Sequence, residues 1–323
     1  MRPVSIGVVI VNWNGLRDTI ACLQSLAAAS PVPARVVVVD NASTDGSVEA
    51  LSRWAQGWPA GRPQPAILRS DSNRGFAGGN NLGIVELARH SAITHFLLLN
   101  NDATVDPAFF AEVAAALEQA PDAGLLGATI YEGTSGDLVW YAGGRLPGLR
   151  ALTAHGTMIP ANVSVVRTEF VTGCAMLISR VAWEALGPLP ECYFMYFEDT
   201  EYSLRAGVAG FPVIYAPRAV VHHAVGATVR HRVPRPRNEY WFSRARALFV
   251  RRNLRGPARW VALAYLVLVR PVRAALEVLH GRPRLGWAAL RGTAAGLLAV
   301  NDQAYVRDLG AGQRSRDGVV VHE

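Results

Sequence analysis

The sequence predicts an α/β fold, a mostly parallel sheet flanked by helices, followed by a helical extension at the C-terminus. Three observations predict it. Short apolar runs alternate with helical patterns through the first hundred residues, in the manner of βαβ units. Each of the first four runs ends in a polar or glycine-rich turn. From Arg230 onward the composition changes to arginine-rich stretches separated by apolar helical segments.

The four strand candidates are Val4–Val11, Arg35–Val39, Ala66–Leu68 and Thr94–Leu99, with helical patterns at Leu16–Ala28, Ser47–Trp54 and Asn80–Arg89 between them. Short, nearly continuous apolar runs bounded by turn formers are the pattern of buried parallel strands. Their turns read NWNG (12–15), DNASTDGS (40–47), SDSNRGFAGGNN (70–81) and NND (100–102). Right-handed crossovers bring all four to one edge of the sheet, where open α/β sheets bind ligands.

Asp106 as N-cap and Pro107 at the first helical position open a helix to Gln119. Gly124–Tyr131 reads as a further strand, and the segment around Trp140 and Tyr141 as a hairpin. Residues 146–165 carry no clear pattern and read as a loop that covers the site. Phe170–Ser179 reads as a strand whose Gly173 allows close backbone approach. Val181–Leu186 is a short helix. The aromatic run Tyr193 to Phe197 leads into Glu198-Asp199-Thr200-Glu201 and a helix to Ala209. Strands near Pro212–Tyr215 and Ala219–Val221 end at His222-His223.

The division expected is a ligand-binding catalytic domain over 1–229 and an arginine-rich helical extension over 230–323. Ten arginines fall between Arg230 and Arg259 with Glu239 as the only acid. The apolar stretches Trp260–Val269 and Trp287–Val300 both fall short of the roughly 18 to 20 residues needed to span a bilayer. They read either as a cationic amphipathic set lying on a membrane face or as helices packed on the catalytic domain or a second subunit. The tail from Gly310 is expected to be loose.

Half of the 323 residues are hydrophobic and 18% are charged, which excludes a disordered chain. The formal charge is +7 and every basic residue is arginine, which biases the surface toward anionic partners. Three widely spaced cysteines, Cys22, Cys174 and Cys192, fit neither a disulfide framework nor a structural zinc pattern. A reducing cytoplasm is the expected setting, at the inner membrane face if the extension touches lipid. Arg2 precedes an apolar run, but the run ends in Asn12-Trp13-Asn14-Gly15 with no small-residue cleavage site. A first strand explains it better than a secretion signal.

Two acidic clusters carry the candidate chemistry. Asn100-Asn101-Asp102, at the carboxyl end of a strand, suits a divalent cation carrying a phosphate-bearing ligand. It also reads as a polar turn leading to the next helix. Glu198-Asp199 follows an aromatic run that can desolvate a carboxylate and raise its basicity. It also reads as an acidic helix N-terminus favoured by the helix dipole.

Seven fragments in order resemble the inverting glycosyltransferases of family 2: VVIVNWNG (8–15), VVVVDNASTDGS (36–47), NRGFAGGNN (73–81), LLLNNDATVDP (97–107), TGCAMLISR (172–180), FEDTEYSLR (197–205) and VVHHAVGAT (220–228). Their flavour is that of the rhamnosyltransferase-like branch. The resemblance implies a GT-A type, Rossmann-like fold and a nucleoside diphosphate sugar donor, dTDP- or UDP-linked. It implies that Asn12, Asp40, Asn73, Gly75, Asn101 and Asp102 line the nucleotide site. Gly173, Cys174 and Ala175 would wall the donor sugar. Asp199 would be the catalytic base beside Glu198, and Asp102 with His223 would hold a divalent cation, Mg²⁺ or Mn²⁺. Only the last carboxylate of the family's DXD-type motif is kept, so the diphosphate itself has to supply much of the coordination. The acceptor would be a glycan, a lipid-linked glycan or a small molecule, in cell-wall or polysaccharide biosynthesis. A homo-oligomer is compatible with this reading and nucleic acid is not an expected partner. The competing readings are a nucleotidyltransferase on a related fold and a non-catalytic anion- or membrane-binding module.

Overall fold

The computed structural model describes residues 3–133, 136, 138–146, 153–224, 236–299 and 320–322. The expected domain boundary at 229/230, Thr228, and Arg230, Arg232 and Arg235 lie outside the described residues, as does most of the tail.

Four parallel strands, β1 (Ile6–Asn12), β2 (Arg35–Asp40), β3 (Ala66–Arg69) and β4 (His95–Asn100), lie in the order β3-β2-β1-β4. Helices α1 (Leu16–Ala28), α2 (Ser47–Gln56) and α3 (Gly75–Ala88) connect them. Because side chains alternate across a sheet, each strand supplies two cores. Val8, Ile10, Val36, Val38, Leu97 and Leu99 face α1 and α4 (Phe109–Gln119). Val9, Val37, Val39, Phe96 and Leu98 face α3, α5 (Arg180–Leu186) and α6 (Glu198–Val208). Both faces are covered, which is why the strands read as unbroken apolar runs. Each such side chain stabilises the fold by about 1.5–3 kcal/mol on full burial.

Beyond β4 the sheet continues through β11 (Ala175–Ser179), antiparallel to both β4 and β6 (Leu125–Glu132). Strand β12 (Val213–His223) runs parallel to β6, and β5 (Ala103–Val105) pairs antiparallel with the end of β12. Strands β7 (Leu138–Tyr141) and β10 (Val166–Arg167) add to β6 and β12. A separate two-stranded ribbon joins β8 (Gly144–Arg145) to β9 (Ala154–His155), of which β9 lies inside the stretch read as a loop.

Several boundaries differ from the sequence expectation. The strand expected from Phe170 begins only at Ala175, because the Gly173 amide donates to Asp199 instead of a ladder partner. The two strands expected near 212–215 and 219–221 are one, bent by an irregularity between Ala216 and Val220. Helix α3 starts five residues before the expected Asn80, inside the glycine-rich turn. The tail expected to be loose supplies β13 (Val320–His322), antiparallel to β3.

In the extension, α7 (Pro236–Asn253) is followed by α8 (Gly256–Ala264), a π turn (Tyr265–Val269), α9 (Arg270–Leu279) and α10 (Pro283–Leu298). These helices pack closely on one another, so that a Cβ at Gly292 or Gly296 of α10 would strike carbonyls of α7, and their buried face continues into the rest of the chain. Ala245, Leu248 and Phe249 of α7 share one buried cluster with Tyr193 and Phe197. Among the described residues no helix is long and apolar enough to cross a membrane.

Candidate active site

The strand register brings the polar turns together. Asn12 pairs with Asp40 across β1 and β2, and Val11 with Asn100 across β1 and β4. Asn12 and Asp40 are both fully buried, and Asn12 Nδ2 donates to Asp40 Oδ2 at 2.8 Å. The other Asp40 oxygen accepts from the Ser43 amide at 2.9 Å. Asn12 Oδ1 accepts from the Thr19 hydroxyl, which in turn accepts from Asn101 Nδ2 at 3.1 Å. Three of the nucleotide-site candidates thus belong to one network.

Asn73 and Gly75 belong to a second. Asn73 Oδ1 accepts from the Gly75 amide and from Asn41 Nδ2, and Asn41 Oδ1 accepts from the Arg74 amide. Gly75 has φ +70°, and a Cβ there would collide with the Phe194 carbonyl. That carbonyl accepts from the Phe76 amide. This turn therefore braces the loop that precedes the acidic pair. Asn81 and Arg74 extend the brace to Glu191, at 2.9 and 3.1 Å.

That loop is bent three times. Phe194, Tyr196 and Phe197 all have φ near +70°, a left-handed conformation rare for bulky residues. Each such residue costs on the order of 1–3 kcal/mol and persists only where the surroundings enforce it. The enforcement is visible. Phe194 stacks on Trp241 at 4.5 Å, and Phe197 packs on Phe242 and Phe249. Arg244 Nη1 donates to the Cys192 carbonyl.

The loop delivers Glu198 and Asp199 to the first turn of α6. Asp199 Oδ2 accepts from the Gly173 amide at 2.9 Å, and Oδ1 from the Thr200 amide at 2.7 Å. Burial raises the Asp199 pKa, against the pull of these hydrogen bonds. Burial and the Asp199 charge push Glu198 up to about 8. Glu198 Oε2 is buried without a hydrogen-bond partner. The two neighbouring carboxyls thus differ: Asp199 accepts on both oxygens, whereas Glu198 has one buried oxygen without a partner.

Across β4, Asp102 Oδ1 lies 2.9 Å from His223 Nε2, and Asn100 Nδ2 lies 3.3 Å from the same nitrogen. Pairing of His223 with Ala103 in β12 and β5 sets this approach. Burial pulls the imidazole pKa down, but Cys174 and Asp102 outweigh it and push it up to about 10. Asp102 keeps 27% side-chain exposure, while His223 Nδ1 is buried and unpartnered. Among the described residues no three His, Cys, Asp or Glu side chains cluster as a ready-made cage. One carboxylate and one imidazole converging on a partly open position fit a cation that keeps several oxygens of a phosphate ligand.

A chain of direct contacts links the two centres. Asp199 binds the Gly173 amide, and the next residue, Cys174, accepts from the Asn100 amide at 2.9 Å. Asn100 then reaches His223, which meets Asp102. Of the three residues expected to wall the sugar, Gly173 donates to Asp199 and Cys174 lies beside His223. Cys174 and Ala175 are buried in the sheet core. Trp140 packs edge-on against both His223 and His155, at 5.3 and 4.7 Å. His155 also stacks on Phe170 and lies within the field of Asp199; burial keeps its pKa below the usual value. Sequence reasoning missed His155, which sits in a stretch without periodicity, and gave Asn41 and Thr200 no role.

The family model described as Glycosyl transferase family 2 matches residues 7–186, just over half of the chain. The chain belongs to that family. It is therefore a glycosyltransferase, and the nucleotidyltransferase and non-catalytic readings fall away. It is 28% identical over 232 residues to the N-acetylglucosaminyl-diphospho-decaprenol L-rhamnosyltransferase of Mycobacterium tuberculosis, covering 64% of this chain and 72% of that one. The fold is similar to that of GalNAc-T7, solved with UDP, GalNAc and Mn²⁺ (TM-score 0.61, 15% identity, 96% of this chain and 58% of that chain). The chain thus spans somewhat over half of that structure. It is likewise similar to the mannosyltransferase PcManGT of Pyrobaculum calidifontis, solved with GDP-Man and Mn²⁺ (TM-score 0.55, 17% identity, 91% of this chain and 87% of that chain). The fold of this glycosyltransferase is the GT-A type, a mostly parallel sheet flanked by helices.

Proposed function

We propose that this glycosyltransferase moves a sugar, rhamnose before other hexoses, from a nucleoside diphosphate donor to an acceptor hydroxyl by a single inverting displacement. The observation that carries the reading is the contact chain Asp199, Gly173, Cys174, Asn100, His223, Asp102, which joins a carboxylate suited to proton removal to a pair suited to a cation. The name of the mycobacterial relative supports a rhamnose donor and a lipid-linked glycan acceptor.

In this reading Asp199 takes the acceptor proton as the acceptor oxygen attacks the anomeric carbon. The bond from that carbon to the diphosphate oxygen breaks, and its electron pair leaves with the nucleoside diphosphate. Hydrogen bonds from Gly173 and Thr200 aim the carboxylate, and burial raises its basicity. General-base assistance of this kind contributes about 10²- to 10⁴-fold. Asp102 and His223 would hold a divalent cation, Mg²⁺ or Mn²⁺, which when bound supplies positive charge to the departing diphosphate. The Asn12, Asp40 and Asn101 network and the Asn73 and Gly75 turn take the nucleotide side in this reading.

A thermal-shift panel of nucleotide sugars, with and without Mg²⁺ or Mn²⁺, tests this. A ligand that binds only the native state at a hundredfold excess over its Kd stabilises by about 2.7 kcal/mol. dTDP-rhamnose is expected to raise Tm above UDP-hexoses, with a larger rise when the cation is present. Asp102→Ala should shrink both the shift and its cation dependence. A panel in which no nucleotide sugar shifts Tm, or an Asp102→Ala protein that responds as wild type, contradicts the proposal.

A further inference from the structure

Helices α8 and α9, joined by the π turn, form one continuous helical run from Gly256 to Leu279. One side of it carries Ala262, Leu266 and Ala274, all buried. The approach to α10 is close: a Cβ on Gly286 would strike the Ala274 carbonyl. The other side carries Trp260, Val267, Leu268, Val272, Leu276 and Leu279, all exposed, with Trp260 at 70%, Leu268 at 67% and Leu279 at 80%. Steps of three, four and eight residues keep Trp260, Leu268, Val272, Leu276 and Leu279 on one face. A helix of a soluble domain turns polar side chains outward. This one turns apolar side chains outward over its whole length, and Trp287 of α10 is exposed at 64% as well.

The charge around this face has one sign. Between Arg255 and Arg291 there are seven arginines and a single acid, Glu277, which is already 2.7 Å from Arg282. Arg273, Arg284 and Arg291 are exposed. Contiguous exposed apolar surface marks an interaction site. We propose that this face docks in the plane of an anionic phospholipid bilayer. The apolar stripe enters the boundary between headgroups and acyl chains, and the arginines meet lipid phosphates. The charge decides between occupants. A second copy of the chain would set arginines against arginines, whereas anionic lipid complements them. None of the described helices is long and apolar enough to span, and the contact proposed is one in the plane of the surface. The inference does not depend on which sugar is moved.

The test is co-sedimentation of the full chain with phosphatidylcholine vesicles prepared with and without phosphatidylglycerol. The protein is expected to follow the phosphatidylglycerol vesicles and to release as salt rises. The triple change Leu268→Asn, Val272→Asn, Leu276→Asn and, separately, Arg273→Glu with Arg284→Glu should each weaken partitioning at least about tenfold. Both variants alter exposed positions, so an unchanged Tm verifies that each is folded. Brominated lipid should quench tryptophan fluorescence in the wild type, and less so in Trp260→Phe. Binding no greater than to phosphatidylcholine alone at low salt overturns the proposal. So does a variant pair that partitions like wild type. Light scattering that reports a dimer, dispersed by the triple change, would assign the face to a second copy and overturn it equally.

Discussion

Glu198 and Asp199 are neighbours with different surroundings, and the difference is a stability statement as well as a catalytic one. Glu198 titrates at about 8 in the fold against an ordinary value of 4.5. A carboxyl whose folded pKa is raised binds its proton more tightly in the native state. Its contribution is complete below the ordinary value and is lost as pH rises through the folded one. Wild-type Tm should therefore carry a component that falls between these two values. Glu198→Gln, which keeps the shape without the titration, should remove that component and be relatively more stable on the alkaline side. Thermal unfolding across this range measures it. At this scale the sequence singled out the acidic pair, Asp102 and His223, because each sits in a run of ordered fragments, and the fold sets Asp102 against His223. Asn41 and His155 were not, since a lone amide or imidazole in a loop shows its partners only after folding. Asn41 joins two turns 32 residues apart, a relation no local pattern carries.

The elements that present these residues depend on two joints. At the first, Gly75 has φ +70° against the Phe194 carbonyl. Gly75→Ala brings both left-handed strain and a collision, so it should cost more than about 1 kcal/mol. It should also lower kcat by displacing the loop before Glu198, which denaturant unfolding and steady-state assays would register together. At the second, Glu201 of α6 is buried and accepts from Arg252 at 2.9 Å and from Asn253 at 2.8 Å. Burial raises its pKa, but Arg252, Asn253 and Tyr193 outweigh this and hold it below the usual value. The pairing therefore stabilises above the ordinary carboxylate range and is lost as pH falls through the depressed value. Arg252→Ala strands a buried carboxylate and should cost about 3–5 kcal/mol in urea unfolding, while removing that acid sensitivity. Elements with strong periodicity, β1 to β4, α1 and α2, were legible within a few residues. The start of β11 and the bend in β12 were not. There the deciding partners were Asp199 on another element and a shift in register against β6.

Taken whole, the molecule is a mostly parallel α/β core with its candidate site at one strand edge and a helical extension packed against the loop that precedes Glu198 and Asp199. The extension was readable as helical and cationic. Its role in holding Tyr193, Phe197 and Glu201 was not, because those contacts join residues about 50 positions apart and no short-range pattern records them. Asp199, held by Gly173 and Thr200 and linked through β4 to Asp102, is the residue proposed to take the acceptor proton. The most direct measurement is the single-turnover transfer rate of Asp199→Asn beside wild type, with saturating donor and cation. The expected result is a fall of at least about 10²-fold. A rate equal to that of wild type would contradict it.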